Sequence, residues 1–137
     1  MAEAPLAKKL GIKPGHKVLV LNAPDGYLQA LGPLPEGVGV ATSGGGTFEV
    51  VQVFVRSKED IDGCARRALE AVRPGGMLWF AYPKKLSKVK TDINRDVGWD
   101  SLTGAGWENI AHVSIDDTWS AGRFRSSSEV RSGRGRV

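Results

Sequence analysis

Three short segments carry side chains whose types and spacing could do chemistry. Asp25-Gly26-Tyr27 follows an apolar run and offers a carboxylate, a glycine and a phenol, so it is the candidate site for a nucleotide-type cofactor. Lys84 and Lys85, with Lys88 and Lys90 close behind, lead into Thr91-Asp92, which is read as the N-cap of a helix. Mobile ammonium groups beside free helix amides make an anion site, suited to a phosphorylated small molecule or a nucleic-acid backbone. Arg56-Ser57 should converge on the same end of the molecule, because ligands of parallel sheets settle beyond the carboxyl ends of the strands. Each group also has a plainer role open to it: Asp25 as a helix cap, the lysines as a solvated loop.

The other reactive residues point to structure. Cys64 falls on the apolar face of a helix and reads as core. His16 and His112 stand far apart with no nucleophile in a recognisable motif beside them. Two histidines and one cysteine cannot make a tetrahedral nitrogen and sulfur set for zinc, so no structural metal is expected. Asp116 and Asp117 are adjacent, would point apart in an extended chain, and suit a turn in front of a packed Trp119. Trp79, Trp99, Trp107 and Trp119 read as core or rim packing rather than a base-stacking surface.

The elements that must position these groups follow from periodicity. Lys17–Asn22 is an almost unbroken aliphatic run, as in a strand buried on both faces, and Tyr27–Leu31 is a short helix candidate. Gly37–Thr42 is a weaker strand, Ser43-Gly44-Gly45-Gly46 a loop, and Phe48–Val55 the most secure strand. Ser57 and Asp60 resemble a capping box for a helix with Ile61, Cys64, Ala65, Ala68, Leu69 and Val72 on one face. Pro74-Gly75-Gly76 ends that helix, Met77–Tyr82 is another buried strand, and the strand-helix-strand order implies a right-handed parallel unit. A further helix is expected over roughly Ile93–Leu102, and two alternating strands after Trp107 and Trp119 make a terminal antiparallel hairpin.

The run from Leu10 to Leu21 resembles the opening strand of class I methyltransferases, and Ala68–Trp79 resembles their helix-Pro-Gly-Gly-strand segment. More closely, Ala23–Tyr27, Pro83-Lys84-Lys85, Thr91-Asp92-Ile93 and Ile115–Ser120 together are similar to an uncharacterised bacterial family of short Rossmann-like proteins, a domain of unknown function. The resemblance implies an abbreviated Rossmann-like, methyltransferase-like α/β three-layer sandwich, mostly parallel, with a C-terminal antiparallel hairpin. It does not carry activity with it. Asn22–Gly26 supplies one glycine and a proline without an amide hydrogen where the family has its glycine loop, and neither Thr42 nor Ser43 is the acid that would hold a ribose. The chain is also about a helix and a strand short of the full methyltransferase core.

Composition bounds the rest. At 137 residues, with 41% hydrophobic and 25% charged residues, the chain suits one globular domain, expected over residues 1–125. The net charge of +4 resides entirely after residue 122, where five arginines face only Glu129, and residues 126–137 read as a disordered basic tail. Weak nucleic-acid association through Arg131, Arg134 and Arg136 is one expectation for that tail. No apolar signal core or membrane span is visible, which implies a cytoplasmic protein, monomeric or homodimeric. On residues alone the leading expectation is a non-enzymatic binding or accessory module with no cofactor and a small anionic ligand at Lys84, Lys85, Thr91 and Asp92. Its rival is a divergent methyltransferase-like enzyme taking S-adenosylmethionine or another nucleotide-type cofactor at Asp25, Gly26 and Tyr27.

Overall fold

A computed structural model describes residues 9–31, 34–42, 45–84, 91–93, 98–116 and 118–126. Six strands form one sheet: β1 (Lys17–Leu21), β2 (Gly39–Ala41), β3 (Phe48–Phe54), β4 (Val72–Pro83), β5 (Trp107–Ser114) and β6 (Trp119–Ser126), in the order β2-β1-β3-β4-β6-β5. The first four run parallel; β6 is antiparallel to β4 and pairs antiparallel with β5. Three helices within the described residues accompany them: α1 (Tyr27–Ala30), α2 (Lys58–Ala71) and α3 (Asp100–Thr103). This is the abbreviated Rossmann-like α/β architecture expected from the sequence, with its terminal hairpin in place. No helix among the described residues is long and apolar enough to cross a membrane.

The central strands are apolar throughout because both their faces are covered. Side chains alternate along a strand, so Leu19, Val51, Val53, Leu78, Phe80 and Phe124 pack on one face under Ile61, Ala65 and Ala68 of α2, with Trp99 and Leu102 beside them. Val18, Val20, Val50, Phe54, Trp79 and Ala121 pack on the other. Among the described residues, Leu10 and Ile12, Tyr27 and Leu31 around α1, and Trp119 cover that second layer. Trp79 ties the entering chain down by donating its indole N–H to the Leu10 carbonyl at 2.9 Å. All the tryptophans therefore serve the packing expected of them, three of them buried and Trp107 partly so.

Two boundaries differ from the sequence reading. The long helix ends at Ala71, earlier than Pro74-Gly75-Gly76, and Val72 is already extended (φ −79°, ψ 127°). Arg73, directly before a proline, is biased away from helical backbone, so the chain leaves the helix before the Pro-Gly-Gly segment is reached. The β3–β4 register then jumps from Phe48 opposite Val72 to Val50 opposite Met77, and Gly75 sits at φ 79° within the excursion. The helix expected over Ile93–Leu102 is the second difference. Residues 94–97 lie outside the described set, Gly98 has φ 105°, and helical backbone among the described residues starts only at Asp100. A left-handed residue cannot sit inside an α-helix, which confines α3 to a single turn.

Candidate functional site

The site is built where β1 stops. Asn22 takes φ 60°, a left-handed conformation that asparagine tolerates better than most residues, and so turns the chain without a glycine. Its amide nitrogen donates to the Phe54 carbonyl (3.4 Å) and to the Cys64 sulfur (3.3 Å), tying the loop to β3 and α2. Cys64 is partly buried against the core cluster beneath α2, as its place on the apolar face implies. The loop closes with the Tyr27 amide donating to the Pro24 carbonyl at 3.1 Å, and Gly26, at φ 81°, occupies the cap position of α1. Asp25 therefore does not cap α1. Its carboxylate is exposed and makes no hydrogen bond to any described residue.

Two clefts share this loop as a common wall. One, of about 480 Å³, lies between Asn22–Asp25 and three residues at and beyond the end of β3, Phe54, Arg56 and Asp60. The other, of about 300 Å³, lies toward β2, between Asn22–Gly26 and Val20, Leu28, Gln29 and Thr42. Both fall in or at the edge of the size range of small-molecule sites, at the carboxyl ends of parallel strands. Arg56 is fixed from below, since its amide donates to Asp60 Oδ2 at 2.9 Å, while the Asp60 amide donates to Ser57 Oγ at 3.1 Å. The capping box is thus real but displaced by one residue: Asp60 returns its bond to Arg56 rather than to Ser57.

Of the three residues singled out for a cofactor, Asp25 and Gly26 line a cleft wall and Tyr27 lies beneath it. The Tyr27 hydroxyl donates to Gln52 Oε1 at 2.6 Å within the second core layer, and burial foremost, with nearby Asp116, pushes its pKa upward. Of the anion-site group, Lys84, Thr91 and Asp92 are among the described residues. Lys84 donates Nζ to Ser114 Oγ at 2.6 Å, and Lys85, Lys88 and Lys90 lie outside the described residues. Thr91 accepts from the Ile93 amide, and Asp92 Oδ1 accepts from the Lys58 amide at 2.9 Å. Asp92 thus contacts the start of α2 from another segment, and residues 94–97, which would follow a helix start at Thr91-Asp92, lie outside the described residues. Asp116 accepts from the Thr118 and Trp119 amides, both at 2.8 Å, in the turn expected there; Asp117 lies outside the described set. No group of metal-binding residues occurs among the described residues.

Sequence reasoning gave Asn22, Asp60 and Gln29 no place in the site. The signal for Asn22 was available, because asparagine directly after a buried strand is one of the few residues that can stand in for glycine at a left-handed turn.

No protein-family model matches the chain, and none of the curated proteins does. Solved structures do. DhpI in complex with SAH superposes over 89% of this chain and 82% of its own, with a TM-score of 0.60 at 14% identity. Fibrillarin from Aeropyrum pernix with natively bound S-adenosyl-L-methionine matches over 91% and 70%, with a TM-score of 0.56 at 14% identity. A putative methyltransferase from Thermoplasma acidophilum matches over 93% and 76%, with a TM-score of 0.56 at 13% identity. The chain shares the Rossmann-like fold of these methyltransferase-like structures. At these identities the likeness is one of fold alone.

Proposed function

We propose that the chain is a divergent methyltransferase-like enzyme that binds S-adenosylmethionine across the two clefts flanking Asn22–Gly26. The observation that carries this reading is the position of those clefts on either side of the loop after β1, in a fold shared with structures that hold SAM or SAH. The accessory-module expectation gains no comparable support.

The residues fit such a cofactor. Asn22 and Gly26, both at positive φ, supply the turns that glycines provide in a dinucleotide or methyl-donor loop. Thr42, in the cleft toward β2, offers a hydroxyl where a carboxylate would hold the ribose, and Gln29 offers an amide on the facing wall. Asp25, exposed and unpartnered among the described residues, balances a cationic ligand from the shared wall. Bound there, the cofactor supplies an electrophilic methyl group on a sulfonium. Among the described residues the site shows no general base paired to a nucleophile, so what these side chains contribute is binding and orientation.

Isothermal titration calorimetry with SAM and SAH tests the reading. Saturable binding to the unaltered chain is expected, weakened by about tenfold or more in Asp25→Arg, since an exposed charge reversal on the cleft wall repels a cation at little cost to folding. Absence of binding, or equal affinity in that variant, would rule the assignment out.

A further inference from the structure

Arg56 has an unusual setting for a surface cation. Its guanidinium lies over the Trp119 ring, 5.6 Å from the centroid. Trp119 stands edge-on to Phe54 at 5.0 Å, and Phe54 edge-on to Tyr27 at 4.5 Å, so the platform continues into the second core layer. The Arg56 backbone is clamped by the Asp60 carboxylate. Lys58, Arg66 and Arg73 pair with carboxylates, but Arg56 forms no ion pair among the described residues. It is also the one cation among the residues lining the larger cleft. A stacked arginine loses little freedom on binding and presents a planar fork matched to carboxylate and phosphate oxygens.

Its place in the sheet puts it at the β3 edge of the clefts assigned to the cofactor. Thr42 and the loop after β1 serve the β2–β1 side, whereas Arg56 follows β3 and leans on the first residue of β6, with Lys84 after β4 at the same end. A ligand laid from Thr42 across Asn22–Asp25 reaches Arg56 last. We propose that Arg56 anchors the second substrate of this site, a small acceptor molecule carrying a carboxylate or phosphoryl oxyanion. The proposal rests on the assignment of the cofactor to the same clefts.

The test uses the full chain at constant ionic strength, titrated with inorganic phosphate and with acetate while the Arg56 Nε–H and Trp119 Nε1–H resonances are followed by NMR. Saturable shifts are expected with at least one of the two anions, and the tighter one identifies the acceptor's charged group. Affinity should fall about tenfold or more in Arg56→Ala and severalfold in Arg56→Lys, with the thermal midpoint little changed because the side chain is exposed. Undiminished anion binding in Arg56→Ala overturns the proposal. Calorimetry with SAH on the same proteins separates the two assignments. Unchanged SAH affinity in Arg56→Ala supports an acceptor anchor, whereas weakened SAH with intact anion binding assigns Arg56 to the cofactor's own carboxylate and overturns it. Arg56-dependent anion binding without any SAH binding overturns the cofactor assignment and leaves the oxyanion site standing.

Discussion

Thr42 stands where the methyltransferase resemblance implies an acid for the ribose, and the proposed site can be tested by restoring that acid. A hydroxyl gives a ribose a neutral hydrogen bond worth about 1 kcal/mol net, whereas a carboxylate gives about 1.5–3 kcal/mol. Thr42 is exposed at the cleft wall, so the larger side chain needs no repacking. Thr42→Glu should tighten SAH binding about fivefold, measured by calorimetry; unchanged or weaker binding would show that the ribose does not lie at this wall. At the same scale the sequence was only partly readable. Asp25 and Gly26 stood out by type, but nothing in the order of residues showed that Tyr27 turns inward to Gln52, since a phenol after a loop suits a ligand or a core equally well. Asp92 has a partner that the order of residues does not show, because the Lys58 amide is remote in sequence.

At the scale of elements, the amino ends of three strands are held by one carboxylate. Glu49 in β3 accepts from the Lys17 amide of β1 and from Arg73 Nη1 of β4 at 3.1 Å, and these contacts, the backbone one foremost, hold its pKa below the ordinary glutamate value. A depressed folded-state pKa means the contribution is complete above the unfolded value and is lost as pH falls through the folded one. Urea unfolding followed from about pH 6 to about pH 3 should therefore show a smaller acid-side loss of stability in Glu49→Gln than in the unaltered chain. Identical slopes would show that the pair is energetically silent. The elements themselves were largely legible, because continuous apolar runs specify β1, β3 and β4 and three- to four-residue spacing specifies α2. The failures were at Pro74-Gly75-Gly76 and Gly98, where backbone conformation rather than side-chain pattern decides, and where a glycine or proline marks a break without saying which residue leaves the helix.

For the whole molecule, the two layers are unequal and the stability should reflect it. Phe80 is fully buried at the centre of the α2-covered layer, edge-on to both Trp99 and Phe124. Phe80→Ala should cost about 3–5 kcal/mol, a large share of the roughly 5–15 kcal/mol that holds a domain of this size together. Calorimetric melting should register a fall of about 10 °C or more. A shift of only a few degrees would place the main core on the other face. The overall architecture was legible because strand count, helix placement and the terminal hairpin all follow from local patterns that agree with one another. The site was less so, because it depends on which loops converge.

The outer strands of the sheet settle how the molecule behaves toward its own copies. β2 has only three residues. In β5 the pairing with β6 slips between Asn109 and Ala111, leaving Ile110 as an extra residue pushed out toward solvent, 39% exposed. A short rim on one side and a kinked rim on the other give an incoming strand no long, straight row of amides and carbonyls to copy. Margins of this kind resist the addition of further strands, which keeps the apolar centre of the sheet from acting as a template for fibrils.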